Sequence, residues 1–398
     1  FIVLKLVESA EGGVVSQSAI WSFGFVSISF EFFVSLAYWL GAFTFVALFP
    51  YMWNIIGLLK SENIINRLAT EITKDKILNP KEDPVQPIVD IIHGSIMKYD
   101  LETTRVGLKE VTERVTEIID SDGEMEISGH FCKHLERVGK LAVSKTDEES
   151  ITEVIENLGH FGESTVEKGL EYATAQTAEF LGAIGVAAAE KGLVVATWQT
   201  VDFLGSVGKV AAEKGLGRST RQAVDSVADF WRSAAEKGYE VATNQIVWTL
   251  EDIGIAATKK GLEDAARGAA ESLEEVGLTA AEKGLEKATR QAALSLEAFG
   301  RVAAEKGLEK ATRQAALSLE AFGRVATEKG FEDATKQAAM SLAKLTILNE
   351  EIVKATILDY ESLLEEQERE AFRKFIKIYE YELKELRAEN QNKKTESN

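Results

Sequence analysis

The sequence predicts an all-α protein: an N-terminal transmembrane helix or hairpin, an α-solenoid of 23-residue helical repeats, and a long C-terminal helix. Three observations predict it. A Lys-Gly pair returns every 23 residues, at Gly169, Gly192, Gly215, Gly238, Gly261, Gly284, Gly307 and Gly330. Fixed self-similarity at such a period means stacked units that bury their apolar faces against their neighbours. Residues 19–59 form an apolar run whose only charge is Glu31. All four prolines, Pro50, Pro80, Pro84 and Pro87, lie in the first quarter, so nothing downstream forbids helix.

Composition narrows the function. The chain has 398 residues, a net charge of -19 and a pI near 4.9. That balance excludes a nucleic-acid backbone as the main partner, because phosphate binding needs a basic stripe. The single cysteine, Cys132, excludes an intrachain disulfide framework. Because Phe1 replaces an initiator Met, a fragment or processed product is expected, and the number of earlier membrane spans stays open.

The first domain, 1–59, is read as membrane segment. Roughly 20 apolar residues span a bilayer, so Ser35 to Leu59 is expected as one transmembrane helix. Residues 17–34 form either a second span or an apolar helix in the interface. Trp21, Tyr38, Trp39, Tyr51 and Trp53 suit the aromatic belts of membrane surfaces. Lys60, Arg67, Lys74, Lys76 and Lys81 crowd the C-terminal flank, which predicts a cell-membrane protein with a cytoplasmic repeat domain. Glu31 is expected at an interface or helix junction.

Residues 60–90 are a juxtamembrane connector broken by NPKEDPVQP, with Pro87 placed to start a helix. Irregular helical repeats follow over 91–146, two of their helices meeting around Tyr99-Asp100. The acidic DSDGEME segment is read as a solvated loop, since Gly123 is its fourth residue and a calcium loop of the EF-hand kind needs glycine at the sixth. His130, Cys132 and His134 form H-x-C-x-H. The histidines share a helix face and Cys132 points elsewhere, so ordinary helix residues are the default reading. No metal and no cofactor is assigned; His130, Cys132 and His134 are kept as the candidates should a metal bind.

Regular repeats occupy 147–346. In the unit beginning at Leu308, the apolar positions Leu308, Ala311, Ala315, Leu319, Phe322 and Ala326 make one helical stripe. Leu317, Ala321 and Val325 make a second stripe beside it, so each helix has neighbours on two sides. Glu309–Arg313 and Glu320–Arg324 are expected as i, i+4 pairs on the opposite face. Each unit ends in Glu-Lys-Gly and a large apolar residue, the wording of a Schellman cap. One long helix per unit is therefore expected, with consecutive helices antiparallel. A second glycine column (Gly139, Gly162, Gly185, Gly208, Gly254, Gly277, Gly300 and Gly323, interrupted by Trp231) predicts close approach of a neighbouring helix. Residues 281–303 and 304–326 are identical. The upstream units gain aromatics; larger core residues are the default reading, and Trp198, Phe230, Trp231 and Trp248 are kept as partner-binding candidates, should some of them line a groove for a partner helix or lipid.

Residues 347–388 read as a long amphipathic helix with Phe372, Phe375, Tyr379, Leu383 and Leu386 on one face. It either caps the array or self-associates, which would make the chain a homo-oligomer. Residues 389–398 are expected as a disordered tail.

In construction the array resembles the helical-hairpin solenoids of the HEAT and tetratricopeptide types, although neither consensus matches EKGLEKAT. Residues 35–116, with NPKEDPVQPIVDII and KYDLETTRVGLKEV, resemble a group of uncharacterised predicted membrane proteins of archaea and bacteria. That resemblance implies a multi-span N-terminal part and no known activity. Phosphate-loop, zincin and nucleophile-elbow motifs are absent, so no enzyme is expected. The functional expectation is a membrane-anchored cytoplasmic α-solenoid acting as a protein–protein interaction scaffold, with membrane lipid and an unknown protein as partners. The alternative is a subunit of an oligomeric channel or transporter whose helical domain serves assembly.

Overall fold

The structure is a computed structural model that describes residues 21–23, 26–28, 30–58, 60–79, 81–236, 240–362 and 364–396. The chain divides into two compact units, Phe1–Ile64 and Ile65–Asn398. Among the described residues all regular structure is helical except two short strands, β1 (Trp21–Phe23) and β2 (Val26–Ile28), paired antiparallel with Phe23 opposite Val26.

In the first unit, α1 (Phe30–Leu58) is apolar on every side and carries Pro50 in its interior. Its stretch Phe32–Trp53 is 22 residues long, averages a hydropathy of 2.0 and has no buried residue. At ~1.5 Å per residue it is long enough to cross a hydrocarbon core of about 30 Å. The expected helix at Ser35 to Leu59 thus begins five residues earlier. Among the described residues of 17–34 no second helix is present: residues 30–34 belong to α1, and Trp21-Ser22-Phe23 and Val26-Ser27-Ile28 alternate apolar with serine, the period of a strand. Residues 17–20 lie outside the described residues.

The second unit opens irregularly with α2 (Ser61–Thr70, whose first turn precedes the boundary), α3 (Lys74–Ile77), α4 (Gln86–Ile96), α5 (Leu101–Ile118), α6 (Glu124–Lys145) and α7 (Glu148–Glu167). Then α8 (Glu171–Lys191), α9 (Val194–Lys214), α10 (Gly217–Glu236), α11 (Glu240–Lys260), α12 (Glu263–Glu282), α13 (Glu286–Glu305), α14 (Glu309–Lys329) and α15 (Glu332–Leu348) start 23 residues apart. Each unit is therefore one helix, and the glycine column does not break it.

The turns follow from their glycines. At the end of α8, Gly192 has φ +79°; its N–H donates to Ala189 O and that of Leu193 donates to Ala188 O, both at 3.0 Å. This is the Schellman pairing, closed by a residue that tolerates the left-handed region. Gly238 lies outside the described residues. The next helix then starts behind a leucine, which has no side-chain acceptor for the free N–H groups of the first turn. At the starts of α8, α9, α10 and α14 one of those groups is met from two helices back. Glu124 Oε1 accepts from Ala173 N at 2.8 Å, Glu148 from Val195 N at 2.9 Å, Glu171 from Arg218 N at 2.8 Å and Glu263 from Lys310 N at 3.3 Å. At the opposite end, Lys214 Nζ donates to Glu167 O at 3.0 Å and Lys168 Nζ to Ile119 O at 3.1 Å. Helices two apart thus lie parallel, start beside start, and the helix between them returns antiparallel. The result is two layers of alternate helices around an extended core, with a smaller cluster of Val166, Val207 and Ala211 beside it.

The second glycine column sits where those layers stack. A Cβ added at Gly162 would come 3.0 Å from Val207, at Gly185 3.0 Å from Phe230, at Gly208 2.7 Å from Ile253 and at Gly254 3.2 Å from Phe299. At Gly277 it would fall 1.5 Å from Phe322. Each knob lies 45 residues beyond its socket, two helices on. Gly323 receives Phe375, so the C-terminal helix closes the last socket.

That C-terminal region is two helices, α16 (Glu350–Glu361) and α17 (Glu366–Glu396), not the single one expected. Phe372, Phe375, Tyr379 and Leu383 are buried against the array, so the region caps it. Residues 389–396, expected as a disordered tail, continue α17.

The cap also overturns the solvated Glu320–Arg324 pair. Glu320 is 1 % exposed and its carboxylate has no hydrogen-bond partner among the described residues. Arg324 turns instead to Glu368 at 2.6 Å and to the Tyr360 hydroxyl at 3.4 Å. Glu251, Glu274 and Glu297 occupy the same column, and each accepts from a serine 44 residues on: Ser295, Ser318 and Ser341. The next residue in that series is Leu364, because the period has ended. Burial therefore pushes the Glu320 carboxyl up to about 8, opposed by Arg324 and reinforced by Glu274 and Glu368.

Two outcomes follow from this packing. Gly277→Ala should lower stability by about 2–3 kcal/mol through overpacking, whereas Gly94→Ala, whose Cβ meets nothing within 4 Å, should raise it by up to ~1 kcal/mol. Denaturant melts check both, and Phe322→Ala combined with Gly277→Ala should be less damaging than the sum. For Glu320, the folded chain keeps its proton up to about pH 8 while the unfolded chain releases it at the ordinary value of 4.5. Stability should therefore fall as pH rises between those values, by up to ~5 kcal/mol. Glu320→Gln should flatten that slope and melt higher than the wild type at pH 9.

Candidate functional site

The structure resolves the H-x-C-x-H segment into two opposite environments. On α6, His130 and His134 stand one turn apart with ring centroids 4.9 Å apart. The connector before α4 brings Asp83 to the same face. Asp83 Oδ1 accepts from Val85 N at 3.2 Å and from Gln86 N at 3.0 Å, which fixes the carboxylate at the start of α4. Its Oδ2 then meets His134 Nε2 at 3.0 Å and His130 Nε2 at 3.8 Å. One donor atom from each of the three residues lies within 4.8 Å of the others.

His134 is buried, while His130 and Asp83 are each about a third open. Burial holds the His134 imidazole below the ordinary histidine value, with Asp83 opposing it. Both Nδ1 atoms are buried without a hydrogen-bond partner among the described residues. Two imidazoles and a carboxylate converging in this way are a donor set for a borderline divalent cation.

Cys132 stands apart from this group. It is fully buried on the core side of α6, with Sγ 3.9 Å from Thr177 Oγ1, and burial pushes its thiol up to about 12. A thiol that stays protonated is neither nucleophile nor ready ligand. His160, on α7, is exposed and pairs with Glu163 at 3.4 Å. Sequence reasoning therefore found the two histidines and missed Asp83. The aspartate lies 47 residues before His130, and only its place just ahead of the Pro84 and Pro87 turn marked it as a helix-start residue.

The four aromatic candidates part company as well. Phe230 fills the Gly185 socket and Trp231 occupies the one interrupted position of the glycine column; both are 0 % exposed and belong to the core. Trp198 is half-buried. Trp248 is 51 % exposed and borders a groove of about 540 Å³ crossing α9, α11 and α13. Carboxylates of Asp202, Glu251 and Asp252 line this groove, with Lys209 on Asp252 at 2.9 Å and Gln245 on Asp202 at 3.2 Å. The shape offers an aromatic face and surplus negative charge to an incoming cationic group.

No family model matches the chain, and no curated protein matches it in sequence. Solved structures match its helical repeats at low identity. A "circular tandem repeat protein with novel repeat topology and enhanced subunit contact surfaces" is 15 % identical, over 79 % of this chain and 85 % of that one, with a TM-score of 0.44. A protein described as "DHF58 filament" is 17 % identical, over 68 % and 92 %, with a TM-score of 0.19. An engineered protein is 13 % identical, over 80 % and 95 %, with a TM-score of 0.18.

Proposed function

We propose that the protein is a membrane-anchored scaffold. In this reading α1 sits in a bilayer, the basic residues from Lys60 to Lys81 keep the following chain on the cytoplasmic side, and the two-layer array is an α-solenoid that presents its surface to a protein partner. The observation that carries it is the combination, in one chain, of an apolar helix with no buried residue and a stacked helical array. Surface helices of a globular protein show a polar side; α1 has none, and lipid is the solvent that suits it.

The partner surface is the groove at Trp248. Its chemistry favours a partner that inserts an arginine or lysine between the indole face and the carboxylates of Asp202 and Asp252. Catalysis has no part in this reading.

The test uses the full chain. It should float with liposomes and stay with membranes after alkaline extraction. A chain recovered without α1 would make that helix a cleaved signal sequence and end the anchoring reading. Trp248→Ala together with Asp252→Asn should shift the melting free energy by less than ~0.5 kcal/mol, as surface changes do. The same variant should lose the proteins that cross-link to the wild type in membranes; an unchanged set would move the partner surface elsewhere.

A further inference from the structure

We propose that Asp83, His130 and His134 bind a divalent transition metal of the zinc class, with solvent supplying the remaining ligand. The geometry is within reach of coordination. Tetrahedral zinc with ligands at about 2.0–2.1 Å sets its donor atoms roughly 3.4 Å apart. Here the carboxylate oxygen stands 3.0 Å and 3.8 Å from the two Nε2 atoms, and one donor atom from each of the three residues lies within 4.8 Å of the others, so modest side-chain shifts open the space.

Each ligand is also positioned by a separate device. The helix holds the imidazoles one turn apart on a single face. Backbone N–H groups of Val85 and Gln86 occupy Asp83 Oδ1 and leave Oδ2 to face the two histidines. The partial exposure of His130 and Asp83 leaves a solvent-facing side, and Asp83 also borders a cleft of about 240 Å³ with Glu71, Glu82 and Pro84 through which an ion can enter.

Coordination through both Nε2 atoms requires neutral imidazoles that carry their N–H at Nδ1. Those nitrogens find no acceptor among the described residues. A missing outer-shell partner typically lowers affinity by about 10–100-fold, so the site should hold zinc more weakly than one whose histidines are hydrogen-bonded. Since its ligands come from the proline-bearing connector and from α6, 47 residues apart, the bound ion would pin that connector to the array.

The experiment takes the full chain in detergent, without an affinity tag and stripped by a chelator. Cobalt(II) is titrated in and followed by its visible d–d absorption, then displaced by zinc, and thermal melts are recorded with and without zinc at ~100 µM. The expected result is one equivalent of cobalt with four-coordinate absorption, and a melting temperature raised by zinc. His130→Gln and Asp83→Asn should each weaken uptake at least ~10-fold, while Cys132→Ser leaves it unchanged. Asparagine keeps the oxygen that accepts from Val85 and Gln86, so Asp83→Asn separates loss of metal from loss of fold. Absence of cobalt absorption and of any zinc shift in folded wild type would overturn the proposal, leaving a plain histidine–aspartate hydrogen bond. Uptake indifferent to both ligand variants would overturn it equally.

Discussion

The array depends on a knob entering a glycine two helices earlier. A glycine inside a helix costs about 1 kcal/mol against alanine, and the column repeats that cost in nearly every unit. What offsets it is a close approach that no other residue permits: Val207, Phe230, Ile253, Phe299 and Phe322 each reach the backbone of the helix two before their own. Burying a large apolar side chain is worth about 1.5–3 kcal/mol, so the exchange favours the stacked state at each step. Trp231 shows the same rule inverted. It stands where a glycine is due, and the residue at its knob position is the smaller Val276, both of them buried.

The stacking also explains how helices begin without a cap of their own. Leucine occupies the cap position because its side chain closes the preceding turn, and it has no oxygen to offer. The first-turn glutamate of one helix therefore serves the start of another two units on, and the lysine of the Lys-Gly pair serves the carbonyl end of one two units back. Both contacts put a full charge against the opposite end of a helix dipole. Local turn chemistry and long-range stacking are thus bound together. A unit detached from its neighbours would lose its core and its end groups at once.

Much of this was legible in the sequence, and the remainder was not for definite reasons. One helix per unit, the left-handed glycines and the close approach at the second column all follow from spacing. Glu320 was misread because Glu297 and Glu320 occupy identical strings and yet have different neighbours: Ser341 covers the first, and the end of the period leaves the second under the cap. The end of α16 at Glu361 has no proline or glycine after it to announce it. Phe230 and Trp231 stay among the binding candidates beside their core reading because composition alone cannot distinguish a groove aromatic from a knob. Asp83 escaped because a carboxylate that starts a helix carries no sign of a second task.

The identical strings 281–303 and 304–326 fall on α13 and α14, which lie in opposite layers. One amino-acid string therefore satisfies both faces of the array, and no unit is dedicated to a side. Such a chain can lengthen by unequal exchange between near-identical stretches of its gene, since every copy finds a socket behind it and supplies one ahead. Parity is the constraint that survives. One added unit carries everything downstream, the closing helices included, to the other layer, while two added units return it. Variation in repeat number should therefore accumulate in pairs.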